Sequence, residues 1–241
     1  IFPIYKDRQG TIWLGTYYGG VNYFNPEMDL FKFYMADSSR NDCLSFPFVG
    51  KMVEDQEGRV WICTEGGGLN LFDRKSERFT HFASNPRVNS IAHNNLKDIA
   101  YSAKRNKLYI GTQTGGLSIF NLSTQRFRNL YYEVPKYGSI AGDRIFQMQI
   151  WKDKYLIFTT ANGVVKMDLD TEQVSYLFPH HKFTSITWLA IDTADYIWLA
   201  LGKMVYRVNL HDEHQQELFH CGERGLGTED ISVLYTDSKG N

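Results

Sequence analysis

The sequence has no apolar run approaching the roughly 18–20 residues that a membrane-spanning helix needs. None of its 241 residues is therefore expected to cross a bilayer as a helix. Net charge is nearly absent: 26 Lys and Arg stand against 27 Asp and Glu, leaving −1 at pH 7. No single-sign field steers the chain onto nucleic acid or an anionic membrane surface, so neither is expected as a partner of this region. Cysteine is scarce. Cys43, Cys63 and Cys221 are an odd number with no Cys-x-x-Cys pair, which argues against a disulfide framework. Cys63 sits inside the apolar run Val60-Trp61-Ile62-Cys63-Thr64 and reads as a small buried hydrophobe. Helical periodicity is missing as well, since no window sustains apolar residues at three- and four-residue spacing.

What is present is a core and a repeat. Hydrophobic residues make up 43% and charged residues 22%, the balance of a folded domain rather than a disordered one. Aromatics reach 15%, a content that suits strands and also suits sugar binding. The stretch Gly10–Phe24, GTIWLGTYYGGVNYF, recurs as GRVWICTEGGGLNLF at 58–72 and as NKLYIGTQTGGLSIF at 106–120. KYLIFTTANGVVKM (154–167) is a weaker copy and DYIWLALGKMVYRV (195–208) a degenerate one. Trp13, Trp61, Tyr109, Leu156 and Trp198 serve as the anchors of the five units. A turn signal recurs with them: Asp7-Arg8-Gln9-Gly10, Asp55-Gln56-Glu57-Gly58, Asp237-Ser238-Lys239-Gly240 and, more loosely, Asp192-Thr193-Ala194-Asp195.

Each unit reads as four short strands. In the second, strand a is 49–55, a tight Asp-x-x-Gly turn follows, strand b is 59–64, a glycine loop leads to strand c at 68–73, and strand d is 78–83. The runs alternate with period two, as strands do. Four short antiparallel strands repeated every 40–50 residues or so mark a β-propeller blade, whose two apolar faces are buried by stacking on neighbours. The fold class expected is all-β: a β-propeller of four-stranded antiparallel blades at about 1–35, 49–83, 96–131, 145–178 and 186–219. The first strand of a sixth blade is expected at 231–241. Both ends look cut from something longer, so any localisation signal falls outside view.

The unit Asp-x-x-Gly-x-[Ile/Val]-Trp-[Ile/Leu]-Gly-Thr-x-x-Gly-Gly-[Leu/Val]-x-x-Phe resembles the two-component regulator propeller repeat. Residues 7–24, 55–72 and 106–120 match well, and 154–167 and 195–208 loosely. The resemblance implies a fragment of a seven-bladed propeller in the periplasmic sensor region of a hybrid two-component system. It implies an inner-membrane protein with a histidine kinase and response regulator downstream, and membrane attachment only through segments outside this chain. It also implies detection of glycan-derived oligosaccharides, control of polysaccharide utilisation genes, and a homodimer of the full-length sensor. It carries over no ligand residues. The fourth unit departs from the pattern by placing Phe158 where Gly15 and Gly111 stand and Asn162 at the first glycine. The fifth keeps only Gly202.

Strand order puts the d–a and b–c loops on one face. The residues preceding the a strands there are Phe48, Asn95, Arg144, Ser185 and Asp230, and the b–c loops add Tyr17, Tyr18, Glu65, Gln113 and Thr114. Trp188 lies in strand a of the fifth unit, where a stacking role is open to it. This mix suits a polyhydroxylated or uronic-acid ligand, although a solvated loop surface or a protein interface would also carry it. Trp13, Trp61 and Trp198 share one motif position and read as packing residues between blades. Gly66-Gly67-Gly68 is followed by no Lys-Ser/Thr and no helix, so no phosphate cradle and no cofactor is expected. His211-x-x-His214 lacks acidic partners, so no metal is expected either. Catalysis would need a carboxylate pair, and only Arg144 with Asp230 or Glu229 comes near; no catalytic residue is assigned. A carbohydrate-active propeller hydrolase or lyase, or an interaction scaffold, are the alternative readings.

Overall fold

The computed structural model describes residues 2–25, 30–37, 39–40, 42–130, 144–181, 183, 186–222, 230–231 and 233–235. Among these there is no helix, and the strands form five separate four-stranded antiparallel sheets, each a simple meander. The chain divides into two compact units, Ile1–Tyr131 and Tyr132–Asn241.

The first unit holds three blades. Blade 1 comprises β1 (Phe2–Lys6), β2 (Ile12–Gly15), β3 (Val21–Asn25) and β4 (Leu30–Tyr34). Blade 2 comprises β5 (Val49–Glu54), β6 (Val60–Thr64), β7 (Gly68–Asp73) and β8 (Arg78–Phe82). Blade 3 comprises β9 (Leu96–Ser102), β10 (Lys107–Thr112), β11 (Leu117–Asn121) and β12 (Arg126–Leu130). The second unit holds blade 4, with β13 (Ile145–Trp151), β14 (Tyr155–Thr160), β15 (Gly163–Asp168) and β16 (Val174–Leu177). It also holds blade 5, with β17 (Trp188–Ile191), β18 (Tyr196–Leu201), β19 (Met204–Asn209) and β20 (Gln216–His220). The four strands expected in the second unit of the repeat are those of blade 2, to within a residue at each end. Of 231–241, where a further strand a was expected, residues 231 and 233–235 form no strand, and 232 and 236–241 lie outside the described residues.

Apolar faces meet between blades. Trp13 of blade 1 and Phe72 of blade 2 pack edge to face at 5.3 Å, over Val49, Met52 and Ile62. Trp61 of blade 2 meets Phe120 of blade 3 at 5.7 Å, over Leu96, Ile99 and Leu108. Both tryptophans are 2% exposed. Trp198 is less enclosed and stacks on Phe219 of its own blade at 5.8 Å. Cys63 is fully buried and unbridged, and burial pushes its thiol pKa up. The second unit has its own core, in which Trp151, Ile157 and Phe178 join Leu189, Ile197 and Val208.

The Asp-x-x-Gly-x-x-Trp signal is one bonded device. Asp55 Oδ1 accepts the backbone N–H groups of Glu57 (2.9 Å) and Arg59 (3.1 Å), and Oδ2 accepts the Trp61 indole N–H at 2.8 Å. Asp7 does the same with Gln9, Thr11 and Trp13 Nε1, and Asp192 with Ala194, Tyr196 and Trp198 Nε1. One carboxylate thus closes the turn and satisfies a ring N–H that would otherwise be lost in the blade. Arg74 ties blade 2 to blade 1, with one nitrogen on Asp7 and another on Glu54 at 3.2 Å. Beside it, burial and the Glu54 carboxylate push the Tyr5 phenol up to about 12.

Blade 4 corrects the alignment made from sequence. Thr160 pairs with Gly163 as Thr64 pairs with Gly68, so Thr159 occupies the place of Gly15, and Phe158 that of Leu14 and Ile62. The anchor moves with it, from Leu156 to Ile157. The cause is a b–c turn shortened to two residues, Ala161-Asn162, against three in blade 2. Phe158 is accordingly a fully buried core residue and no part of the loop. Blade 4 also has Trp151 at the position of Asp55. Its indole N–H donates instead to Asp195 of blade 5, at 2.8 Å. Asp195 sits where the turn glycine would be, at φ 62°, and also accepts from Lys152 Nζ and from His211 Nε2.

Two outcomes follow. Asp55→Ala strips a buried indole and two backbone N–H groups of their acceptor and takes from Arg59 one of its two carboxylate partners, Glu57 being the other. It should cost roughly 3–5 kcal/mol in urea-unfolding experiments. The bonds from Lys152, then His211, hold the Asp195 carboxyl well below the usual carboxylate range. A depressed folded-state pKa stabilises above the unfolded value and loses that contribution as pH falls through the folded one. The stability gap between the native protein and Asp195→Asn should be full above about pH 5 and shrink progressively in more acidic buffers. Thermal melts across that range check it.

Candidate functional site

The loop between strands b and c is built from a threonine and a glycine. Thr64 Oγ1 donates to the Gly68 carbonyl at 2.8 Å and accepts the Gly67 N–H at 3.1 Å. Thr112 does the same with Gly116 and Gly115, at 2.9 and 2.7 Å. Thr16 donates to Gly20 at 3.1 Å. Gly68 has φ +80°, and a Cβ there would fall 2.5 Å from the Phe82 carbonyl of strand d. The paired glycines therefore serve the loop's own geometry. Their threonines, not a ligand, occupy the inside of the turn. The residues between threonine and glycine differ from blade to blade: Tyr17-Tyr18, Glu65-Gly66, Gln113-Thr114.

Six of the residues predicted for the site are strung into a continuous row across the first unit. The rings of Tyr17 and Tyr18 each meet that of Phe48, both at 4.6 Å, and meet one another at 5.1 Å, all close to edge-on. The Phe48 carbonyl accepts the Glu65 N–H at 2.9 Å, and Glu65 forms an isolated bridge with Asn95. The Asn95 carbonyl accepts the Gln113 N–H at 2.9 Å. Each step joins a b–c loop to the residue just before an a strand, so the two loop families do share a face. Tyr17 and Tyr18 remain 57% and 72% exposed.

Sequence reasoning missed two members of this row. Phe46 lies 5.6 Å from the Phe48 ring, and a Cβ on Gly66 would sit 2.8 Å from its Cζ, so Gly66 is what admits that ring. Lys97 Nζ holds Glu65 Oε2 at 3.0 Å, with the lysine side chain 19% and the glutamate 39% exposed. Phe46 is two residues ahead of Phe48, and Lys97 is two residues into β9 beyond Asn95. A period-two reading of the predicted positions would have found both. Two acceptors in the row, Asn95 Oδ1 and Gln113 Oε1, are buried and have no hydrogen-bond partner among the described residues.

The remaining three predicted residues belong to the second unit, where Thr187, next to Trp188, donates its hydroxyl to the carbonyl of Ile231, next to Asp230, at 3.2 Å. Arg144 is exposed, its guanidinium 5.1 Å over the Phe146 ring. Trp188 opens β17, half-buried and paired with Ala200. Asp230 is exposed, and the next N–H, that of Ile231, donates to the Gly202 carbonyl at 2.9 Å. No ion pair joins Arg144 to Asp230 among the described residues. Ser185 and Glu229 lie outside the described residues.

The family model of the two component regulator propeller matches residues 1–18. No curated protein matches the sequence. Among solved structures, the chain is similar to the extracellular domain of a hybrid two component system from B. thetaiotaomicron. The TM-score is 0.79 and the identity 19%, over 98% of this chain and 31% of that one. A second such extracellular domain from the same organism gives a TM-score of 0.74 and 21% identity, over 92% of this chain and 31% of that one. Virginiamycin B lyase from Staphylococcus aureus gives 0.68 at 13% identity, over 92% of this chain and 70% of that one. At these identities the likeness is one of β-propeller fold. The chain spans about a third of the two B. thetaiotaomicron chains, 31% of each.

If Tyr17 and Tyr18 serve contact rather than folding, removing them should leave stability nearly untouched. Tyr18→Ala should change unfolding free energy by less than about 0.5 kcal/mol, the usual range for surface positions. Leu69→Ala, at a fully buried core position, should cost about 2–5 kcal/mol. Paired urea titrations compare the two.

Proposed function

We propose that this chain, which carries two-component regulator propeller repeats, is a non-catalytic extracellular sensing module. Its ligand is an oligosaccharide, taken on the face where the b–c and d–a loops meet. The observation that carries this reading is the row from Tyr17 to Gln113. Its two tyrosines are exposed and its other members half-buried; it is aromatic at one end and amide-rich at the other, and raised on loops that the scaffold does not require to be aromatic. Aromatic faces and side-chain amides are the groups that hold sugar rings, and functional residues concentrate on such loops over a rigid frame. Similarity in fold to extracellular domains of hybrid two component systems supports the sensing role and an extracellular or periplasmic location.

In the longer protein, ligand binding would bias a homodimer between two arrangements and so set a histidine kinase and response regulator that control polysaccharide utilisation genes. A ligand shifts such an equilibrium only through its difference in affinity for the two states. The similarity to a lyase is one of fold, and the row itself contains one carboxylate already engaged by Lys97, with no second to act as acid or base.

Calorimetric titration of the intact ectodomain against a panel of glycan fragments should give saturable binding to one family of oligosaccharides without turnover. A well-folded ectodomain that binds no member, or that depolymerises one, would sink the proposal.

A further inference from the structure

We infer that the row accepts a neutral, hydroxyl-rich sugar ring, its apolar face laid on the Tyr17–Tyr18–Phe48 cluster and its hydroxyls turned to Glu65, Asn95 and Gln113, and that it excludes uronic and sulfated sugars. This rests on the sensing role proposed above and narrows its ligand by charge.

The aromatic end sets the first condition. Tyr17 and Tyr18 meet Phe48 at 65° and 61°, and each other at 85°. Each edge-to-face pair sets one ring's positive edge on one face of its partner, and the high exposure of both tyrosines leaves further ring surface open to solvent. A π face carries negative potential. It attracts the weakly positive C–H face of a pyranose and repels a carboxylate or sulfate.

The carboxylate sets the second. Lys97 is the more enclosed partner of its pair with Glu65, and its ammonium is engaged with Oε2. The pair is neutral within itself, and the group it leaves toward solvent is the carboxylate. A sugar hydroxyl can donate to that carboxylate in a charge-assisted bond, whereas an anion meets repulsion there.

The amides set the third. Asn95 and Gln113 are held side by side by the bond between their backbones, and each buries a side-chain oxygen with no donor. Both side chains are only half-buried, so the amides border the loop surface. A hydroxyl both donates and accepts and so satisfies an amide in either orientation. A carboxylate or sulfate accepts only, so it can take the amide N–H groups but leaves the oxygens without a donor.

The test is calorimetry on the intact protein with two sets of probes. The neutral set is gluco-, manno- and galacto-configured tetrasaccharides, and the acidic set is galacturonan and chondroitin sulfate tetrasaccharides. Each is measured at about 0.05 and 0.5 M NaCl, a range over which charge-driven binding is screened away. At least one neutral probe should bind with an affinity indifferent to salt. The double variant Tyr17→Ala/Tyr18→Ala and the single variant Glu65→Gln should each weaken it about tenfold or more. Near-ultraviolet circular dichroism and thermal melting check that the variants remain folded. If Glu65→Gln is unstable, the exposed tyrosine double variant decides alone. Binding of any acidic probe, binding that fades with salt, or a folded tyrosine variant with native affinity would overturn the inference while leaving the sensing role intact. Failure of both probe sets would overturn both.

Discussion

A carboxylate shut away from water sets the geometry of three of the five blades. Asp55 is 1% exposed and spends both oxygens on the chain that folds around it. One oxygen fixes the hairpin turn between strands a and b, and the other reaches along strand b to the Trp61 indole. That indole is then pressed against the next blade. Turn geometry, strand register and the seam between blades are therefore one interaction seen at three distances. Burying an unpaired carboxylate or an unpaired indole N–H would each be costly. Together they are compatible, which is why the two residue types occur as a pair. Asp7 goes with Trp13, Asp55 with Trp61 and Asp192 with Trp198, whereas Ala103 stands with Tyr109 and Trp151 with Ile157.

Much of this architecture was legible in the sequence, because a repeated unit supplies its own controls. Period-two runs bounded by Asp-x-x-Gly and Gly-Gly placed β5 to β8 within a residue, and comparing copies separated what the fold needs from what it tolerates. The same comparison isolated Tyr17 and Tyr18 as additions to a loop that works elsewhere with Glu65-Gly66 and Gln113-Thr114. The failures have a common origin. Aligning the fourth unit on its letters slid it by one residue, since a turn shortened from three residues to two leaves no trace in the hydrophobic pattern beside it. A one-residue slip exchanges the two faces of a strand, and it put Phe158 at the place of Gly15 and Cys63 instead of that of Leu14 and Ile62.

The site was half legible for a related reason. Loop residues could be equated across units, so the row from Tyr17 to Gln113 was reachable. The equivalence stops where the chain stops repeating. Lys97 pairs with Glu65 across two blades, and Phe46 enters only because Gly66 has no side chain. Neither relation is local, and neither is encoded in the unit. The unpartnered oxygens of Asn95 and Gln113 depend on side-chain rotation, which sequence does not specify. Arg144 and Asp230 hold the motif position of Phe48 and Asn95, and Trp188 lies in strand a, yet their side chains stand in different surroundings. Position in a repeat predicts where a backbone goes better than what its side chain meets.

The exchange at Trp151 has a bearing on the order in which the protein is made. Blades 1, 2 and 5 each contain both halves of their carboxylate–indole bond, so each can close its own turn as soon as its residues leave the ribosome. Blade 4 closes its turn through the Lys154 N–H on the Trp151 carbonyl, but the acceptor of its indole is residue 195, more than forty residues further along the chain. A bond that spans two blades makes the indole of the earlier one wait for the later.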